Sequence, residues 1–247
     1  MSLKNVVDAP NGNLLLAALP RQEYERLISK MSLVRIPQGK LVYHMGEQLH
    51  HAYFINSGMI SILLVTRNGS SLEVGIVGKE GVIGIPIILG MNETPYEMGV
   101  EIEVETAWRI KAEVFKEEFR RGGKFQELLL KYMNVMLTQL SQSAICNRFH
   151  TAEQRLSHWL LIVRDRVNSN SINLTQESIA HMLGGPRTAV TMTAGHLQRE
   201  GLITYSRGKI TILDDDGLRN LACECYEVIK DNLDTHFEHL TGGHRIA

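Results

Sequence analysis

Short apolar runs separated by turn residues fill much of the first half of the chain. Between Ser32 and about Lys111, β-rich segments alternate with glycine, proline and asparagine turn signals. The segments are Leu33–Ile36, Leu41–His44, Ala52–Ile55, Met59–Thr66, Leu72–Val77, Val100–Glu105 and Ala107–Ile110. Asn68–Gly69, between two of these segments, is the strongest hairpin signal. Many short strands at near-regular spacing predict a compact barrel or roll.

Helical patterns flank this β-rich region. Asn13 can cap a short helix that runs through Leu19, and Pro20 is well placed to begin a second helix, Arg21 to Met31. After the strands, the segment from Lys124 to about Cys146 contains no proline or glycine. Its apolar seam recurs every three or four positions, at Phe125, Leu129, Tyr132, Met136, Leu140 and Ser143. The seam packs either onto the chain's own roll or against a second copy, and we expect the second.

A further pattern near the C-terminus predicts a winged helix-turn-helix. Thr151 and Gln154 form a capping box at the start of one helix, and a capped helix follows from Thr175 to Gly184. Gly184–Gly185 predicts a tight turn before a helix over 186–200 that begins with proline. Two short β-rich segments, 202–205 and 210–212, then flank a basic tip and predict the wing.

The N-terminal part of the second helix carries the candidate DNA-reading residues. Helices of this kind place their first residues at base edges in the major groove, while the wing and helix ends hold phosphates. Arginine suits guanine because its planar fork meets two acceptors together. We therefore expect base contacts from Arg187, Thr188, Thr191 and Met192. Expected phosphate contacts are Thr175, Gln176, Arg207 and Lys209.

The charge of the C-terminal segment, and not the net charge of the whole chain, supports a DNA-binding site there. The 247-residue chain has a formal net charge of −1, so the total gives no sign of a nucleic-acid partner. From His150 to Leu213, however, cations outnumber acidic residues, and the segment after Leu213 is strongly acidic. The negative charges after Leu213 offset the positive charges of the basic segment, so the net charge of the chain does not reveal that segment.

The sequence lacks the motifs that are typical of several functional classes. The chain shows no signal-peptide pattern and no apolar run of membrane-spanning length, so we expect a cytoplasmic protein. No nucleophile elbow, phosphate loop, metal-binding helix motif or dinucleotide fingerprint is present, and we expect no enzyme.

The sequence contains three cysteines, Cys146, Cys223 and Cys225. Their number and spacing suit neither a disulfide framework nor a complete zinc motif, so we expect no metal or cofactor. A C-terminal helix through Leu218, Leu221, Val228 and Leu233 would use Cys225 for packing.

The order of these features resembles the Crp/Fnr family of transcription regulators over roughly Leu14 to Leu213. The matching segments in the roll are Tyr43–Glu47, Ala52–Gly58, the Asn68–Gly69 hairpin and Gly81–Gly84, and in the C-terminal part the segment from Leu174 through the wing. The resemblance implies an α+β protein with a double-stranded β-helix, jelly-roll-like and similar to cyclic-nucleotide-binding domains, a long dimerisation helix and a winged helix-turn-helix. The expected domains are a sensor roll over 13–123, a dimerisation helix and hinge over 124–150, a DNA-binding domain over 151–213 and a helical extension over 214–247.

The resemblance also implies partners. Such regulators are homodimers that bind a palindromic double-stranded operator, act with RNA polymerase and respond to a small effector. Two departures affect this chain. Cyclic-nucleotide-binding members carry a glutamate and an arginine after the strand glycine, whereas Ile85 and Pro86 follow Gly84 and no lysine or arginine occurs between Glu80 and Trp108. Because a buried phosphate needs a cation, we do not expect cyclic AMP as the effector. Thr188 also replaces a base-reading glutamate of many members.

The effector itself is not identified by the sequence. Ile83, Gly84, Ile85, Met91 and Met98 would suit an apolar ligand, although most such residues in a roll form ordinary core. Two alternatives of the same fold stay open. One is a regulator that senses haem, a metal or redox state, with His44, His50 and His51 as candidate haem ligands. The other is a sensor that does not bind DNA.

Overall fold

The computed structural model describes residues 12–185 and 187–241. Its first elements are two short helices, α1 (Leu14–Ala17) and α2 (Arg21–Ile28). Asn13 caps α1 as predicted, and its side-chain amide donates hydrogen bonds to the carbonyls of Ile55 and Gly81. One buried asparagine therefore caps the helix and attaches it to the strands behind it.

Eight strands form a roll of two antiparallel four-stranded sheets. They are β1 (Ser32–Ile36), β2 (Leu41–Tyr43), β3 (His51–Ile55), β4 (Met59–Val65), β5 (Ser71–Val77), β6 (Val82–Ile83), β7 (Glu97–Ile102) and β8 (Val104–Lys111). The strand orders are β1-β8-β3-β6 and β2-β7-β4-β5. The hairpin predicted at Asn68–Gly69 joins β4 to β5, with Val65 opposite Ser71. The α+β fold and its jelly-roll-like sensor part are confirmed.

Two small elements of the roll are absent from the predicted pattern. β6 is only two residues long, and a one-turn helix, α3 (Ile85–Ile88), follows it. Gly84 joins them with a φ of +113°, and a Cβ there would lie 2.9 Å from the Cβ of Ala52. Only glycine fits this crowded left-handed position without displacement. Elements this short carry too few residues for a period to show.

The helix that follows the roll is long and belongs partly to the roll. After α4 (Ala112–Arg120), α5 runs over Gly123–Phe149. Phe125, Leu129 and Tyr132 are at most 2% exposed, and Phe125 packs against Phe54 and Phe115 with ring centroids about 6 Å apart. The predicted dimer seam is therefore wrong at Phe125, Leu129 and Tyr132, because the chain's own roll covers them. Met136, Leu140 and Ser143, further along, are half-buried.

The remaining elements form the C-terminal part. They are α6 (Ala152–Val167), β9 (Ser171–Asn173), α7 (Gln176–Leu183), α8 (Arg187–Arg199), β10 (Ile203–Ser206), β11 (Lys209–Ile212), α9 (Asp215–Leu221) and α10 (Cys225–Thr241). Thr151 and Gln154 form the predicted capping box of α6. β9 is a short strand in a largely polar segment, Asn168 to Asn173. It forms because its backbone pairs with β11 while Ile172 fills the core.

The C-terminal extension differs from the single helix that the sequence predicts. Asp214 caps α9 by accepting from the amide of Gly217, and α9 ends at Leu221. Ala222 is extended, so the chain turns before α10 begins. This turn places Cys223 and Cys225 against the end of α5, and Val228 is 39% exposed rather than inward.

Within the described ranges, no helix combines the length and the low polarity that crossing a bilayer requires.

Candidate nucleic-acid interface

The helix-turn-helix is built from α7, a glycine turn and α8. Thr175 caps α7 by accepting from the amide of Ser178, and Ile179 and Leu183 are buried below. Gly184 ends α7 with a φ of +62°, a left-handed conformation that favours glycine. Pro186, predicted as the first residue of the next helix, lies outside the described residues.

The wing is a three-stranded antiparallel sheet in the order β10-β11-β9. Ser206 pairs with Lys209, so Arg207 and Gly208 form a two-residue turn, and both have positive φ, +51° and +77°. Positive φ at both positions is the type I′ geometry that matches the twist of the flanking strands. The amide of Leu174 donates to the carbonyl of Gly208, which ties the wing to the start of α7. Arg207 and Lys209 are exposed at the tip.

α8 divides into a buried stripe and an exposed N-terminal face. Its buried residues are Val190, Thr193, Ala194 and Leu197. Ala189, beside this stripe, is half-buried. The four predicted base-contact residues are exposed, and they are Arg187, Thr188, Thr191 and Met192. Met192 is 75% exposed, so a large apolar side chain stands uncovered among polar neighbours. The face has the composition that hydrogen bonding and thymine-methyl contact require.

Arg187, the candidate base-reading arginine, is only weakly restrained. Its Nη2 lies 4.0 Å from Oε2 of Glu177, and both side chains are about two-thirds exposed. Such a pair contributes at most about 1 kcal/mol in water, so the guanidinium is free to reorient toward another acceptor.

One predicted phosphate contact is already engaged. The hydroxyl of Thr175 caps α7 and lies 2.8 Å from the hydroxyl of Ser178. Gln176 is exposed beside it at the first turn of α7, where free backbone N–H groups attract anions. Gln176 and the helix terminus are therefore better placed for a phosphate than the Thr175 side chain.

Sequence reasoning missed a set of buried carboxylates that join the roll to the winged helix. Oε1 of Glu73 on β5 accepts from the indole Nε1 of Trp159 at 2.5 Å, and its other oxygen accepts from the hydroxyl of Ser61. Glu80 accepts from Nε of Arg166 at 2.7 Å, with both side chains at most 7% exposed. Each partner lies 86 residues away, so no local pattern signals these contacts.

Burial changes the acidity of these groups. The low-polarity environment raises the pKa of Glu73 to about 8, although the hydrogen bonds from Ser61 and Trp159 favour the carboxylate. Burial also raises the pKa of Glu101 on β7, against the effect of a hydrogen bond from the Ser178 hydroxyl of α7. Two groups at the junction between the domains therefore change charge closer to neutral pH than ordinary carboxylates do.

The predicted effector residues do not gather around a described cavity. Ile83, Ile85 and Met98 are buried in the core of the roll, whereas Met91 is 57% exposed. A cavity does lie at the junction, between β5, α5, α6 and the ends of α7 and α10. Its lining includes Glu73, Gln139, Cys146, Arg155, Trp159 and Met182. An occupant there would contact both parts of the molecule at once.

Two family models match the chain in consecutive segments. Residues 33–121 match the cyclic nucleotide-binding domain, and residues 154–221 match the Crp-like helix-turn-helix domain. The chain is 24% identical over 212 residues to the anaerobic regulatory protein of Bacillus subtilis (strain 168), covering 81% of this chain and 88% of that protein. It is 26% identical over 173 residues to the transcriptional regulator SdrP of Thermus thermophilus, covering 69% and 83%.

Solved structures show the same arrangement. The structure of FixK2 from Bradyrhizobium japonicum superposes with a TM-score of 0.68 at 14% identity, covering 78% of this chain and 98% of that chain. The roll, the long helix and the winged helix thus define a DNA-binding regulator with an N-terminal domain of the cyclic-nucleotide-binding type. The chain belongs to the Crp/Fnr family of transcription regulators.

Proposed function

We propose that the chain acts as a homodimer that binds a palindromic operator with the residues 186–200 of each subunit. The observation that carries this proposal is the exposed N-terminal face of α8, in the same domain as an exposed basic wing tip that is tied to the start of α7. A helix with this face fits the major groove, and the wing reaches the adjacent backbone.

The chemistry of the face supports a division of roles. Arg187 donates to a guanine, while Thr188, Thr191 and Met192 contact neighbouring base edges, Met192 through a thymine methyl. Gln176, Arg207 and Lys209 bind phosphates, with a smaller contribution from Thr175. Because Thr188 replaces the glutamate of many family members, the preferred operator differs from theirs.

The surface of α5 supports the dimer, along an exposed row of positions that differs from the predicted seam. The exposed positions follow the spacing four, three, four, three, four along the helix. They are Leu130, Asn134, Leu137, Ser141, Ala144 and Arg148. Leu130 and Leu137 are 52% and 61% exposed, which is large for leucines of an isolated subunit. The spacing is that of a two-stranded coiled coil, and a central asparagine favours one register.

The proposed effector response acts through the junction of the two domains. An effector or partner that prefers one arrangement of the roll shifts the hinge at Asn147–Thr151 and resets the spacing of the two α8 helices. The effector is a small molecule other than cyclic AMP, because the segment after Gly84 folds as the apolar helix α3 and offers no cation to a phosphate. RNA polymerase is the expected protein partner of the DNA-bound dimer.

Footprinting on genomic fragments tests this proposal. We expect protection over two half-sites about one helical turn apart, with an affinity that falls steeply with salt. Adding cyclic AMP should leave the affinity unchanged, and a metabolite screen should find the compound that changes it. A monomeric protein that ignores every fragment at low salt would instead favour a sensor that works without DNA.

A further inference from the structure

All three cysteines of the sequence meet beside the end of the central helix. Cys146 lies in the last turns of α5, His150 directly follows this helix, and Cys223 and Cys225 come from the turn between α9 and α10. The three thiols are at most 5% exposed, and the side chain of His150 is 10% exposed. One ligand atom from each of the four residues lies within 4.8 Å of all the others.

The spacing of these atoms fits a single tetrahedral ion. With zinc–sulfur bonds of about 2.3 Å, two ligand atoms at a tetrahedral centre lie about 3.8 Å apart. Sγ of Cys146 is 3.6 Å from Sγ of Cys223, and Sγ of Cys225 is 3.6 Å from Nδ1 of His150. An iron–sulfur cluster would hold some of its ligands farther apart, because its four ligands are divided between two or four irons instead of sharing one ion.

The groups around the four side chains are those that a metal site uses. Nε2 of His150 lies 3.2 Å from a carboxylate oxygen of Glu224, so the ring can present Nδ1 to an ion while Nε2–H is held by the carboxylate. Nδ1 of His158 lies 3.4 Å from Sγ of Cys223 and 3.6 Å from Sγ of Cys146. From there it can donate to metal-bound thiolates.

A nearby cation balances the charge that such a site would carry. Three thiolates and a neutral imidazole around Zn²⁺ leave a net charge of −1. Arg155 lines the same junction cavity as Cys146 and His158. It also donates to the carbonyls of Met182 and Leu183 at the end of α7. The cluster is thereby connected to the helix-turn-helix.

We propose that Cys146, His150, Cys223 and Cys225 bind one structural zinc ion. Four protein ligands close the coordination sphere, which is typical of structural rather than catalytic zinc. The ligands come from two segments more than 70 residues apart, so the ion fastens the C-terminal extension to the hinge between α5 and α6. This assignment is independent of whether the protein binds DNA.

Metal analysis of the full-length protein, purified under reducing conditions, tests the site. We expect one zinc ion per chain, and replacement by Co²⁺ should give the intense visible absorption of a tetrahedral thiolate site. Cys223→Ser and His150→Gln should each lose this spectrum, whereas His50→Gln, an exposed histidine of the roll, should keep it. Far-UV circular dichroism of the His150→Gln protein checks that the fold is retained.

A surface substitution tests the ligand set without touching the core. Glu224→Gln should lower the zinc affinity about 10–100-fold, as loss of a carboxylate behind a ligating histidine does. Glu227→Gln, three residues along the chain, is the matched control and should not change it. Equal affinities of these two variants would contradict His150 as the fourth ligand.

Three results would overturn the proposal. They are absence of stoichiometric zinc together with no tetrahedral Co²⁺ spectrum, a coloured protein that contains iron, and a Cys146–Cys223 disulfide in the protein isolated under reducing conditions.

Discussion

Arg187 is the side chain on which sequence recognition is expected to depend most. It stands exposed at the first turn of α8, where the one ion pair of its side chain with a described residue is a long contact to Glu177. Arg187→Ala should weaken binding to the cognate operator by about 1–3 kcal/mol and relax one base preference. Fluorescence anisotropy on a panel of operator variants measures both effects.

Arg120→Ala is the charge-matched control for this substitution, since Arg120 is exposed at the end of α4, outside the winged helix. It should leave the base preference intact. An Arg187→Ala protein with unchanged affinity and unchanged preference would contradict the assignment.

Glu73 gives the molecule a pH dependence of stability. Its pKa is raised to about 8 in the folded protein by burial, from an ordinary value of 4.5. The folded state therefore holds this proton more tightly than the unfolded state. The contribution of Glu73 to the free energy of unfolding is fully present below about pH 4.5. It is lost as the pH rises toward 8, by about 1 kcal/mol per pH unit.

Glu73→Gln should remove this pH-dependent contribution to stability, because an amide has no proton to lose in this pH range and its oxygen still accepts from Trp159. Urea denaturation from pH 5 to pH 9 measures the free energy of unfolding, which should change less with pH for the Glu73→Gln protein than for the wild type. Glu97→Gln, on strand β7 of the same sheet, serves as the control because this carboxylate is less buried. Parallel profiles for wild type and Glu73→Gln would show that Glu73 titrates normally.

At the scale of elements, the central helix α5 packs on the roll with one row of side chains and leaves another row exposed. We propose that the exposed row, which includes Leu130 and Leu137, meets the same row of a second copy. Leu137→Glu should place like charges opposite each other in a dimer and shift the protein to monomers, with weaker operator binding. Analytical ultracentrifugation measures the mass.

Leu89→Glu is the matched control for this test, since Leu89 is a leucine of similar exposure, 59% against 61%, located on the roll. A Leu137→Glu protein that remains dimeric at low concentration would exclude this face as the interface.

How far the elements could be predicted depended on their length and on the source of their stability. The strands of the roll, α5 and the helix-turn-helix follow from patterns that extend over many residues. β6, α3 and β9 do not, because each is too short to show a period and forms through partners distant in the sequence. The sequence also left open whether the apolar seam of α5 meets the roll or a second copy, and the aromatic cluster of the roll shows that the first half of the seam packs on the roll.

At the scale of the whole molecule, a buried ion pair fastens the roll to the winged helix. Arg166 on α6 donates to Glu80, which also accepts from the amide of Gly78. Arg166→Met should leave the Glu80 carboxylate buried without its cation and destabilise the protein by about 3–5 kcal/mol. Thermal unfolding followed by tryptophan fluorescence and by circular dichroism measures the loss.

The double variant Glu80→Gln/Arg166→Met should recover much of that loss, because no uncompensated charge remains. Equal stabilities of the double variant and the Arg166→Met single variant would mean that the ion pair is not the cause.

The sequence alone determined the order of the domains, the helix-turn-helix with its candidate base-contact residues and the family, because these depend on local periods, caps and turns. The tertiary structure decided which row of α5 the roll covers, which carboxylates join the two domains and that Cys146, His150, Cys223 and Cys225 share one site. Those features depend on side chains that lie far apart in the chain, and their contacts exist only after the domains have packed.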